Sequence, residues 1–349
     1  MRTDKILIFY PYDININLGG PSGFIAHNLL NKSREDFVLS QDLINHSRLS
    51  VFLKKYLFNK FNKSKHISEY VFNEINAKNY KYIFFHDCET LEHCKNLISH
   101  NQVVILQSHS PELPSEEVIA KESSKEFVDF VVRAEKYSFE RADIIIFPNE
   151  FCIPLYDTLN YDKSKIKYIL SGAKKIEDLR KYPLDQSKIN LLYIGRRNRI
   201  KGFDIVMDSF KKLTKYRDDV NLLLIGGGEQ IKERNVYDLG FSSTPLNWYY
   251  SVDYVVNANR KSYFDLSVIE ALSTNVKMIL ADNYGHEYYK RKSSDILSFD
   301  SSDINNLNNI LLNKLEKGNQ TNENMYLYNN ELSDIKYFER FVKFKKEIS

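Results

Sequence analysis

At 349 residues the chain is longer than one ordinary hydrophobic core accommodates, and it suits two α/β domains. Apolar residues make up 43% and charged residues 27%, the composition of a soluble globular protein. The 49 Lys and Arg set against 46 Asp and Glu leave a net charge of +3, which argues against a dedicated nucleic-acid binder.

Cys88, Cys94 and Cys152 form no CxxC pair and no even-numbered framework, so the expectation is a cytoplasmic protein with reduced thiols. The sequence has no run of about eighteen apolar residues, so no membrane-spanning helix is expected. Short apolar runs alternate with longer amphipathic segments, the pattern of βαβ units around parallel sheets.

The opening run Lys5–Tyr10, cut off by Pro11 and Asp13, is too short for a signal-peptide core and reads as a buried first strand. Further strands of the first half are predicted at 82–85, 103–106, 143–147 and 166–169, with helices at 22–31, 68–77, 89–98, 123–142 and 151–159. The turn Gly19-Gly20-Pro-Ser-Gly23 follows the first strand. A glycine pair there removes side chains that would block a phosphate or an acceptor, although an ordinary βα turn uses glycine too. Residues 48–65 interleave bulky apolar side chains with six basic ones and contain no acid. Such a segment either lies on an anionic membrane surface or packs as an amphipathic helix with a solvated basic face. His109 lies just past the apolar run 103–106, where a neutral imidazole could meet a substrate hydroxyl; the other seven histidines are given no comparable placement. His286 and Glu287 are a secondary choice.

The charge-rich stretch 174–188, with Pro183, reads as a linker between a first domain over 1–173 and a second over 189–323. Strands of the second are predicted at 189–194, 220–225, 253–257, 276–281 and 295–298, and helices at 202–217, 246–251, 266–275 and 303–315. Residues 324–349 end in a helical segment expected to return to the first domain. Tandem doubly wound sheets bind ligands at the carboxyl ends of their strands, an arrangement shared by many functions.

Two segments carry the chemistry. In Gly195-Arg-Arg-Asn-Arg-Ile-Lys-Gly202, between a strand and a helix, Arg196 and Lys201 can supply fixed positive charge where a leaving diphosphate accumulates negative charge, with helix amides adding to the anion site. The alternative is a solvated basic turn. In Ser262-Tyr-Phe-Asp-Leu-Ser-Val-Ile-Glu270, Asp265 can cap a helix whose Leu266, Ile269 and Leu272 face the core. Glu270 then sits one turn in, among apolar neighbours, and needs a partner: ribose hydroxyls, or a structural cation.

Together with Leu170-Ser-Gly-Ala173 and Ile225-Gly-Gly-Gly-Glu229, these segments resemble the retaining GT-B glycosyltransferases (group 1, family 4-like), which include bacterial surface-polysaccharide enzymes. The resemblance runs over most of the chain and implies an α/β fold of two Rossmann-like domains facing each other across a cleft. It implies a hexosyl or N-acetylhexosaminyl transfer with retention, from a nucleotide-diphosphate sugar such as a UDP-sugar to a glycan or lipid-linked glycan. By the same resemblance Arg196 and Lys201 hold the diphosphate and Glu270 the ribose, with Gly19, Gly20, Gly227, Ser262, Asp265, Leu266 and Ser267 lining the donor and His109 near the transferred sugar. It implies no cofactor beyond the donor and no metal, and no DxD-type motif stands beside a strand end. Three positions depart from the family pattern. Ser262 stands where the first Glu of E-x7-E is usual, and Asp265 and Asn275 stand where glycines are usual. Asn275 suits a left-handed helix end. Ser262 and Asp265 leave open a non-catalytic glycan-binding or partner protein, and the fold also serves nucleotide-sugar epimerases and phosphorylases.

Overall fold

The computed structural model describes residues 3–44, 66–318 and 320–349; the basic segment 48–65 lies outside the described residues. The chain divides into two compact units, one of Met1–Pro148, Leu155–Ile169 and Phe338–Ser349, the other of Asn149–Pro154 and Leu170–Tyr337.

In the first unit six strands, β1 (Thr3–Phe9), β2 (Phe37–Leu39), β3 (Tyr80–Phe85), β4 (Val103–Leu106), β5 (Ile144–Phe147) and β6 (Ile166–Tyr168), form one parallel sheet ordered β2-β1-β3-β4-β5-β6. Ile6 to Phe9, Tyr82 to Phe85 and Val104 to Leu106 are buried without alternation, as strands covered on both faces require. Phe9 meets Phe72 and Phe85 edge-on at 5.5 and 5.4 Å. The end of the chain belongs to this unit: Phe341 packs on Phe37 at 5.6 Å, and Tyr82 Oη donates to the Ile348 carbonyl at 2.5 Å.

In the second unit β7 (Ile189–Ile194), β8 (Val220–Ile225), β9 (Val236–Gly240), β10 (Tyr254–Asn257), β11 (Lys277–Ala281) and β12 (Ile296–Phe299) form a parallel sheet ordered β12-β11-β10-β7-β8-β9. Alternate residues feed two cores. Leu191, Tyr193, Leu222, Leu224 and Val256 share one with Ile205, Val206 and Phe210 of helix Phe203–Leu213 and with Leu307 and Ile310. Leu192, Leu223, Val255, Met278 and Leu280 share the other with Tyr249, Val268, Ile269 and Leu272. Each such side chain, fully buried, contributes about 1.5–3 kcal/mol.

The sequence reading is corrected at several points. It misses β2, only three residues long, and β9, an edge strand containing Asp238 and Gly240. The helix expected over 123–142 is Lys125–Arg141, capped by Ser124 through Phe127 N–H; the reading misses a short helix before it, Pro114–Ala120, from which left-handed Glu122 (φ 55°) separates it. The helix expected at 151–159 is a 3-10 stretch, Glu150–Tyr156, which Pro154 keeps from closing α-helical bonds. The stretch 174–188 contains no regular element and runs along the second unit. There Tyr182 stacks on Trp248 at 4.0 Å, and Tyr182 N–H donates to Ser251 Oγ at 2.8 Å.

Each sheet reverses its direction of winding once. From β1 the chain adds β2 on one side and β3 on the other; from β7 it adds β8 and β9 on one side and β10 on the other. Loops leaving neighbouring strands diverge at these switch points and open a crevice at the carboxyl edge. In the second unit those loops are 195–202 and 258–265, the two segments singled out from the sequence.

Candidate functional site

The loop 195–202 is held at both ends. Tyr193 Oη donates to the Arg196 carbonyl at 2.7 Å, and Asn198 Oδ1 accepts from Lys201 N–H at 2.9 Å. Gly202 has φ 63°, and a Cβ there would stand 1.9 Å from the Ala258 carbonyl oxygen, so only glycine lets the two switch-point loops touch. Across that contact Arg260 N–H donates to the Ile200 carbonyl at 2.8 Å, and the Arg260 guanidinium grips Asp204 with two bonds of 2.7 Å. Helix Phe203–Leu213 starts here with Gly202 as its N-cap, so Lys201 immediately precedes its positive end.

The adjacent arginines divide their labour. Arg196 is exposed. Arg197 turns inward, bidentate on Asp238 of β9 at 2.7 and 2.5 Å, with both side chains nearly sealed (7% and 6% exposed). It also donates to the carbonyls of Glu229 and Gly226 at 2.5 and 3.1 Å, and thereby holds the glycine loop 226–229. Arg197 holds the Asp238 carboxyl down to about 2. The sequence reading missed this clamp; its only trace is an acid at the middle of an otherwise apolar edge segment. A Cβ on Gly226 would meet the Gly195 carbonyl oxygen at 2.1 Å and one on Gly228 would meet Arg197 Cδ at 2.7 Å, whereas Gly227 faces open space.

Asp265 corrects another expectation. It occupies the N-cap position of helix Leu266–Leu272, but its side chain makes no capping bond. The carboxylate turns to Lys201 (Oδ1 to Nζ, 3.6 Å), to Asn259 (Nδ2 donating to Oδ2, 2.5 Å) and to His286 (Nε2 to Oδ2, 3.3 Å). Burial raises the Asp265 carboxyl, but the neighbouring Lys201 and His286 more than offset it and hold it well below the usual carboxylate range. His286 is therefore part of this cluster, while Glu287 is exposed.

Ser262 is fully buried, and its hydroxyl finds no partner among the described residues; its carbonyl accepts from Gly285 N–H at 3.0 Å. Phe264 takes φ 108°, a conformation that costs a side-chain residue about 1–3 kcal/mol. The neighbourhood enforces it: the Phe264 ring lies parallel to Tyr289 at 5.0 Å, and Cys152 Sγ donates to the Tyr263 carbonyl at 2.9 Å. Leu266 and Ser267 open the helix at intermediate exposure, and half-buried Glu270 lies near enough to buried Tyr249 to add to the rise that burial gives its hydroxyl. Asn275 is left-handed, φ 62°, as its place at the helix end predicts.

At the edge of the first sheet, Gly19 is the N-cap and Gly20 the first residue of helix Gly20–Asn28; Gly20 has φ 62°, and neither would meet an atom through an added Cβ. His109, after β4, lies with Nε2 2.9 Å from Nδ1 of His86, which follows β3. The expectation that no other histidine shares the placement of His109 is thus corrected: His86 has it one strand away. Phe24 and Phe84 cover the pair, at 4.6 Å from His109 and 4.3 Å from His86. Burial lowers His109 to about 3; burial and then His109 put His86 well below its usual value, so both are neutral imidazoles. His86 Nε2 and both amide atoms of Gln107 are buried without a partner among the described residues.

Residues 188–316 match the family described as glycosyl transferases group 1. An uncharacterized glycosyltransferase of Methanocaldococcus jannaschii is 28% identical over 184 residues, 46% of this chain and 45% of that protein, so the match spans less than half the relative's length. Anabaena HepE, solved in complex with UDP-glucose, superposes with a TM-score of 0.69 at 14% identity, covering 98% of this chain and 99% of that one. Sucrose-phosphate synthase from Thermosynechococcus elongatus gives 0.69 at 16% identity over 98% of both chains. S. aureus TarM, crystallised with UDP, gives 0.62 at 16% identity over 80% of this chain and 58% of that one. The chain therefore has the GT-B fold, and its residues 188–316 are similar to the group 1 glycosyltransferases.

Proposed function

We propose that the protein transfers a sugar from a nucleoside-diphosphate donor, a UDP-sugar, to a glycan acceptor with retention of configuration. The observation that carries this reading is the placement of Lys201 beside the first turn of helix Phe203–Leu213, at the switch point of the second sheet. A sugar–phosphate bond that breaks leaves negative charge on the diphosphate. A fixed ammonium, the Arg196 guanidinium and helix amides stabilise that charge without reorganising. Glu270 accepts from the ribose hydroxyls. The departing phosphate takes the acceptor proton on the face it leaves. His109, kept neutral, exchanges a hydrogen bond with a sugar hydroxyl and adds no charge. The complexes of HepE with UDP-glucose and of TarM with UDP support a donor of this class. The acceptor we assign is a surface or lipid-linked glycan, met where segment 48–65 contacts an anionic membrane.

A panel of nucleotide sugars tests the reading. A donor at 100 times its Kd stabilises the protein by about 2.7 kcal/mol, hence a Tm rise of roughly 4 °C. The cognate donor should both raise Tm and support transfer, and Arg196→Ala should abolish transfer. One observation favours a second reading: Ser262 places a sealed, uncharged hydroxyl where a carboxylate is usual. A non-catalytic glycan-binding protein would bind glycan yet turn over no donor in the panel.

A further inference from the structure

We propose that Asp265 is the built-in counter-ion of Lys201, and that an arriving diphosphate must compete with it, so that this residue sets how loosely the site holds its nucleoside diphosphate. The inference rests on the reading of Lys201 as a diphosphate ligand. Its geometry is independent of that reading. The Lys201–Asp265 separation of 3.6 Å exceeds the 2.7–2.9 Å of a charge-assisted hydrogen bond, so the ammonium is attracted but keeps its donors for another acceptor. The carboxylate, in contrast, is fixed. Asn259 holds Oδ2 at 2.5 Å, His286 lies 3.3 Å from the same oxygen, and Asn259 is itself anchored through its carbonyl by Asn283 Nδ2 at 2.6 Å. Side-chain exposures of 22% and 15% leave little solvent to screen the pair.

A phosphate drawn to Lys201 therefore meets a carboxylate that cannot swing away. Its repulsion grows with the charge of the ligand. When the sugar leaves, the terminal phosphate of the nucleoside diphosphate gains a negative charge, so the fixed carboxylate disfavours the product more than the donor. Asp265 thus speeds release of the spent nucleotide at the cost of some donor affinity.

Inorganic pyrophosphate is the probe, because it needs no base or sugar to be recognised. Calorimetric titration of wild type, Asp265→Asn and Asp265→Gly is expected to show about tenfold tighter pyrophosphate binding in both variants, about 1.4 kcal/mol. Two substitutions are used in case one fails to fold, and Asp265 makes no capping bond whose loss would unravel the helix. In a Lys201→Ala background the gain should vanish. Unchanged or weaker binding in the Asp265 variants overturns the proposal, as does a gain that persists without Lys201. Parallel titrations with UDP separate this from the wider reading. Wild type that binds pyrophosphate but no nucleoside diphosphate refutes the nucleotide-sugar reading, while the pyrophosphate series still judges Asp265.

Discussion

The two sheets are wound alike and reverse their winding once each, yet the loops at their reversals carry opposite chemistry. In the second unit the crevice holds ions: Lys201 against Asp265, exposed Arg196, and Arg197 sealed on Asp238. In the first it holds the neutral imidazoles of His86 and His109 under Phe24 and Phe84, and β4 is followed by Gln107, whose buried amide has no partner among the described residues. Asp87, which follows His86, is occupied in capping helix Cys88–Cys94 through Thr90 N–H at 2.6 Å. On the proposed reading, fixed charge suits a diphosphate, and neutral hydrogen-bonding groups suit a sugar without attracting anions.

The largest expected effect tests whether the charge in the second unit is structural as well as functional. Arg197→Ala leaves Asp238 buried without its partner and should destabilise the protein by about 3–5 kcal/mol in urea titrations, as loss of one member of a buried pair does. A loss under 1 kcal/mol would mean that the glycine loop 226–229 does not depend on this clamp. Next comes Lys201→Ala, which should cost transfer about 10²–10³-fold, close to the loss of one preorganised oxyanion donor. His109→Gln should instead lower kcat while leaving UDP affinity unchanged. If His109→Gln weakened UDP binding as much as Lys201→Ala does, the division between the two edges would be wrong.

Much of this was legible in the sequence because it rests on local signals. Residues 189–194 and 220–225 are apolar apart from Asn190 and Asn221, so the strands were found to the residue; Gly202 and Asn275 announce left-handed turns by type. What stayed hidden depends on contacts between distant segments. Nothing near Arg197 in sequence distinguishes it from Arg196; only the approach of β9, forty-one residues on, makes one a clamp and leaves the other exposed. His86 escaped notice for the same reason, since its partner lies twenty-three residues away. Asp265 was read as a helix cap from local propensity, and a lysine and a histidine from other loops outbid the helix amides for its oxygens.

Acidification should separate the two edges. His109 has its folded value lowered to about 3 from 6.5, so the folded state resists protonation that the unfolded chain accepts. Its stabilising contribution is complete above about pH 6.5 and is lost as pH falls from there toward 3, at up to about 1.4 kcal/mol per pH unit. Asp265, a depressed carboxylate, contributes fully above its unfolded value of about 3.9 and loses that contribution only below it. Urea midpoints between pH 7 and 4 should therefore lose part of their slope in His109→Gln, with His86 supplying the remainder, and keep their full slope in Asp265→Asn. The reverse pattern would place the titrating group in the second unit.

The smallest effect concerns Gly227, the middle of three glycines whose neighbours are both sterically required. A methyl group at 227 meets nothing within 4 Å, while one at 226 or 228 runs into the Gly195 carbonyl or Arg197. Gly227→Ala should therefore change stability by less than about 0.5 kcal/mol, whereas Gly226→Ala and Gly228→Ala, both at positive φ, should destabilise measurably. The open space makes Gly227→Ala a clean probe of the ligand, because a methyl there can be felt only by something that arrives. If a phosphate or ribose comes within contact of this loop, UDP binding should weaken several-fold with Tm unchanged. If UDP affinity is also unchanged, the donor does not approach Gly227, and the loop's role ends with holding Arg197.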